Sequence, residues 1–141
     1  MGPMTPSQVA MVSSTVQDVD LDALVADFYR RAFAADPEVA AMFTSDPEIQ
    51  RQRFALELQT IVGSIADLDE FCSSAAALGA RHQTYGVRAR HYRTMGDALL
   101  ASLAAALGDG WTPAVEEAWT LAYSLISESM LAGALEGRPP G

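Results

Sequence analysis

Lysine is missing from this chain: all nine of its basic residues are arginines. Without lysine there is no amine for a Schiff base and no phosphate-binding lysine of the P-loop type. Cysteine is almost as scarce. Cys72 stands alone, so no disulfide can close within the chain and no cysteine-based zinc cluster can form. The role expected of it is that of a small buried side chain. Positive charge is also in short supply. Nine basic residues stand against eighteen acidic ones, for a net charge of −9. A surface this acidic repels phosphate backbones, which argues against nucleic acid as a partner. No apolar run is long enough to span a bilayer, and the N-terminus lacks the basic and apolar regions of a secretory signal. The expectation is a cytoplasmic protein with no membrane partner.

What is present is apolar and helix-forming. Half of the 141 residues are hydrophobic and 19% are charged, the balance of a folded chain with one core and one domain over residues 1–141. Alanine and leucine abound, prolines cluster near segment ends, and no strand-like alternation occurs. These features predict an all-α fold.

Residues 1–4 and 137–141 are expected to be flexible tails, Pro139-Pro140 keeping the latter from being helical. Thr5 caps and Pro6 opens a weak first helix that reaches about Val16. Asp20 caps a second, from Leu21 to about Ala35, with Leu21, Val25, Phe28 and Ala32 inward, Tyr29 beside them, and Arg30 and Arg31 toward water. Asp36-Pro37 begins a short helix to Phe43, and Asp46-Pro47 begins a fourth to about Ile65. Asp69 caps the fifth, and Tyr85-Gly86-Val87 forms the turn that follows it. A sixth spans Ala89 to Leu107, with Tyr92, Met95, Leu99, Leu103 and Ala106 on one face. Gly108-Asp109-Gly110 breaks it, and Thr112-Pro113 starts the last, with Glu116 completing an approximate capping box. Val115, Trp119, Ala122, Ile126 and Met130 form the last helix's inner face. Seven helices are expected, two of them weak.

Two of these helices carry a polar residue on an otherwise apolar stripe. Phe71, Ala75, Leu78 and His82 recur at helical spacing, as do Gln50, Phe54, Leu58, Ile61 and Ile65. An imidazole and an amide placed this way suit a flat apolar ligand, with the histidine on its metal and the amide on the opposite face. Taken alone, His82 is better read as a hydrogen-bonded core histidine.

Four stretches together resemble a known family: DFYRRAFAADPEVAAMF (Asp27 to Phe43), QRQRF (Gln50 to Phe54), ARHQTYGVRARHYRTMGDALL (Ala80 to Leu100) and WTLAY (Trp119 to Tyr123). The chain, from about Val19 to Glu136, resembles the bacterial single-domain haemoglobins and the globin domain of flavohaemoglobins. The resemblance implies the globin fold, in which crossed helices enclose a haem. It implies haem b, since no Cys-x-x-Cys-His is present for covalent attachment.

Within that resemblance His82 matches the axial iron ligand, and Phe43 the phenylalanine packed on the haem plane. Tyr29 and Gln50 match the distal tyrosine and glutamine, both hydrogen-bond donors toward bound O₂. The Phe43–Gln50 loop is shorter than in familiar flavohaemoglobins, which leaves the register of Gln50 open. Phe54 would press on the distal site, and Met95 joins the cofactor-binding residues. Tyr92 and Glu136 match the pair that hydrogen-bonds the axial histidine and makes it more electron-rich. Glu136 is equally an exposed helix end. Arg81, Arg88, Arg90 and Arg93 are candidates for haem propionates or for an acidic partner. His91 is read as a surface residue.

The implied function is O₂ binding, with nitric oxide dioxygenation as a possible turnover. No Gly-rich dinucleotide motif follows before Gly141, so a separate reductase is expected. O₂, NO and CO are the expected small ligands, and a homodimer is among the expected assemblies. Two alternatives stay open: a redox or gas sensor or O₂ store without turnover, and a globin-fold interaction module without haem.

Overall fold

The computed structural model describes residues 4–42, 46–83 and 89–136, and of residues 80–83 and 134–136 the backbone alone. Phe43, the turn at Tyr85-Gly86-Val87, Arg88 and the tail from Gly137 lie outside the described residues, as do the side chains of Arg81, His82 and Glu136.

Seven α-helices form among the described residues: α1 (Pro6–Asp18), α2 (Leu21–Ala35), α3 (Pro37–Met42), α4 (Pro47–Gly63), α5 (Leu68–Gln83), α6 (Ala89–Leu107) and α7 (Pro113–Glu136). No strand occurs among those residues. No described helix is long and apolar enough to cross a membrane.

Capping chemistry explains most of the boundaries. Thr5 and Gln8 close a reciprocal capping box at α1, with Pro6 in its first turn. Asp20 accepts from the Ala23 amide, and Asp46 from those of Glu48 and Ile49. Each cap satisfies amides that the first helical turn leaves without a partner.

Several expectations are corrected. The cap of α5 is Asp67, whose carboxylate accepts from Glu70 N and whose carbonyl accepts from Phe71 N; Asp69 already lies within the helix. At α7 Thr112 accepts from Val115 N. The third helical residue there is therefore Val115, and Glu116 sits one position too late to reciprocate. Met4 is 7% exposed and packs in the core, so the N-terminal tail is anchored from that residue on. Ile65 is buried but lies beyond the end of α4, and Ala106 is exposed.

The core gathers buried side chains from all seven described helices. Trp119, Phe28 and Phe71 are its largest fully buried side chains, joined by Val25, Ala32, Ala75, Leu103 and Ala122. Burying one such large apolar side chain contributes roughly 1.5–3 kcal/mol. Helix α5 packs mainly on α7, and α2 mainly on α6.

The α5–α7 contact is backbone on backbone. A Cβ on Gly79 would fall on the Met130 carbonyl, and one on Gly133 would fall on the Ala76 carbonyl. Only glycine permits this approach. It clamps α5 one turn before His82.

Candidate functional site

Tyr29 and Gln50 meet although they stand on different helices. Asp46 and Pro47 start α4 so that Gln50 falls in its first turn, where its amide nitrogen bonds the Asp46 carbonyl. The Gln50 side chain then donates from Nε2 to the Tyr29 hydroxyl at 3.5 Å, the outer limit for such a bond. Tyr29 is 6% exposed. Burial pushes its phenol up to about 12; the Gln50 hydrogen bond opposes this, and the charge of Glu57 adds the smallest, raising contribution. At neutral pH the group is a protonated donor.

Aromatic rings wall this pair. Phe54 stacks on Phe28 at 4.6 Å and meets the Tyr29 ring edge-on at 5.6 Å. Phe33 lies 5.5 Å from Tyr29. Rings at such offsets gain about 0.5–1.5 kcal/mol per pair beyond area burial. Phe54 thus stands against Tyr29, where a residue limiting access to the pair belongs.

On the other helices the placements are mixed. His82 is near the C-terminal end of α5, on the stripe whose described members Phe71, Ala75 and Leu78 are buried. Tyr92 is 7% exposed, and burial raises its phenol. Its backbone carbonyl accepts from the Tyr123 hydroxyl at 2.5 Å. Met95 is half-buried against the core. Glu136 is the last helical residue of α7. Arg90 pairs with Glu38 of α3. Arg93 is exposed and borders a cavity of about 410 Å³ between α6 and α7, beside Tyr92 and Tyr123.

His91 is not a surface residue. It is 1% exposed, with Nε2 3.4 Å from Glu38 Oε1. The reason is that α6 packs against α2 on one side and α7 on the other. It therefore has two inner faces, and adjacent residues His91 and Tyr92 can both be buried.

Glu57 was passed over in the sequence. It is half-buried one turn beyond Phe54, and its charge acts on Tyr29. The signal was available: Gln50, Phe54, Glu57 and Ile61 fall at i, i+4, i+7 and i+11.

Seven α-helices, with no strand among the described residues, make this an all-α protein, and its structural neighbours give the fold as that of the globins. A bacterial globin from Campylobacter jejuni superposes with a TM-score of 0.82, at 24% identity over 94% of this chain and 97% of that one. Deoxy haemoglobin from Dasyatis akajei superposes with a TM-score of 0.76, at 22% identity over 92% and 97%. The chain belongs to the globin family, whose model matches residues 26–130. It is 28% identical over 130 residues to a flavohemoprotein of Vibrio cholerae, covering 89% of this chain and 33% of that protein. It is 30% identical over 112 residues to one of Chromobacterium violaceum, covering 77% and 28%. The chain thus spans about a third of the length of these relatives.

Haem is the group that this membership implies, and the chemistry of the donor set fits it. Two neutral donors beside aromatic rings suit a small uncharged ligand carrying a partly negative atom, not a bare cation. No group of three or more His, Cys, Asp or Glu gathers among the described residues to hold a metal ion by itself.

Proposed function

We propose that this globin holds haem b through His82 and binds O₂, with nitric oxide dioxygenation as its turnover when a separate reductase supplies electrons. The observation that carries the reading is the Tyr29–Gln50 pair, 3.5 Å apart against the Phe54 ring. Haem, when bound, would supply an iron able to bind a diatomic gas and to cycle between ferrous and ferric forms with electrons from a reductase.

The chain's own residues do the rest. The Tyr29 hydroxyl and the Gln50 amide donate hydrogen bonds to a ligand atom as it gains negative charge. Such donors slow ligand loss and discourage escape of superoxide. Phe54 narrows access and excludes water. Phe43 and Met95 would hold the macrocycle through apolar contact. Tyr92 and Glu136 would hold the proton of the His82 imidazole and make the ring a stronger donor. The clamp at Gly79 and Gly133 fixes the helix that presents His82.

Support for the reductase comes from the flavohemoprotein relatives, which are about three times the length of this chain. O₂ storage or sensing without turnover is the second reading, and one experiment separates the two. The O₂-equilibrated protein is supplied with an electron donor and repeated additions of NO, and nitrate is counted against haem. Turnover yields many nitrates per haem. Arrest in the ferric form after a single nitrate per haem leaves the storage or sensor reading standing.

A further inference from the structure

Glu57 is a carboxylate on a wall that otherwise holds neutral groups. Helical spacing puts it on the same face of α4 as Gln50 and Phe54. Both of those side chains reach Tyr29, through the 3.5 Å hydrogen bond and the 5.6 Å ring contact. Glu57 is half-buried, next in line on that face.

Other charges near Tyr29 are placed differently. Asp27, Arg30 and Arg31 of α2 pair with one another. Glu38 of α3 is engaged by Arg90 and lies against His91 of α6. Arg51 and Arg53 of α4, and Arg93 and Asp97 of α6, are exposed. Among the charges of these elements, Glu57 is the one whose field raises the Tyr29 phenol.

We infer that Glu57 sets the charge of the distal site: its carboxylate places negative potential beside Tyr29 and biases the site toward uncharged diatomic ligands over anions. The ligand half of this inference rests on the haem reading; the Glu57–Tyr29 coupling does not. Chemically, a fixed negative charge opposes an incoming anion and leaves a neutral gas nearly unaffected, and partial burial keeps solvent from screening it fully. Glu57 acts through the field at Tyr29 and is a positioning residue for charge.

The test compares wild type, Glu57→Gln and Glu57→Asp as full-length haem-loaded proteins. Azide is titrated into the ferric form and CO into the ferrous form. Glu57→Gln keeps the shape and removes the charge. It should tighten azide about threefold or more and leave CO affinity within that range. Glu57→Asp should stay close to wild type. A second readout needs no iron: a fluorinated tyrosine at position 29, whose more acidic phenol titrates while the chain is folded, should titrate lower with Glu57→Gln than with Glu57 present. Unchanged azide affinity, or an equal change in azide and CO, overturns the inference. If the wild-type chain takes up no haem, the haem reading fails instead. The phenol titration then decides the coupling alone, and an unshifted phenol overturns that too.

Discussion

Tyr29 concentrates the chemistry of the molecule. Its phenol is buried and its ionisation pushed up to about 12, so it stays protonated, able to donate a hydrogen bond, over the whole physiological range. The sign of the pH effect follows. A phenol near 10 in the unfolded chain and near 12 in the folded one contributes fully below about pH 10. That contribution is lost as pH rises through the folded value, at up to about 1.4 kcal/mol per pH unit. Tyr29→Phe should therefore flatten the fall of unfolding free energy between about pH 10 and 12, read by urea melts; an unchanged slope would mean the phenol is not held this way. In the haem-loaded protein the same variant should speed O₂ dissociation about tenfold or more, the loss of one hydrogen bond to a partly charged atom. An unchanged rate in stopped flow would remove Tyr29 from the distal role. His91 shows where residue-level reading stops. Its neighbour Tyr92 was placed inward by spacing, and one inward face was assumed for α6. Packing against both α2 and α7 gives it two.

At the scale of the helices, the Gly79–Met130 and Gly133–Ala76 approaches are the strictest contacts in the fold. Gly79→Ala must force α5 and α7 apart, and overpacking of this kind costs about 1–3 kcal/mol. Its denaturation midpoint should drop by a corresponding amount. Gly63→Ala, at the end of α4 with open space around it, should be neutral or stabilising by up to about 1 kcal/mol. Equal midpoints for the two variants would rule out the clamp. Much of the helical order was readable beforehand. Asp20, Asp46 and Thr5 are caps followed by helix formers or proline, and both ends of α2 and of α6 fall where sequence puts them. The clamp was not readable, because a glycine in a helix shows only that a side chain is missing, not which backbone takes its place. The start of α5 differs from the sequence reading, with Asp67 as the cap in place of Asp69; the packing of Leu68 against the core accompanies the earlier start. Motif and stripe single out Tyr29 and Gln50 in the sequence. Their contact, like the place of Glu57 beside them, depends on how α2 meets α4.

For the molecule as a whole, the arrangement makes one connected claim. An acidic all-α chain of the globin family folds so that α2 and α4 present hydrogen-bond donors at an aromatic wall, while α7 fixes the backbone of the helix bearing His82. Every function proposed for it requires haem between those parts. The most direct measurement is the absorption spectrum of the purified full-length protein offered hemin, taken in ferric, ferrous and CO-bound forms, alongside His82→Ala. The prediction is stoichiometric uptake with a Soret band that shifts on reduction and again with CO, and loss of stable uptake in His82→Ala. A wild-type protein that stays colourless, or a His82→Ala variant with an unaltered ferrous and CO-bound spectrum, would contradict it.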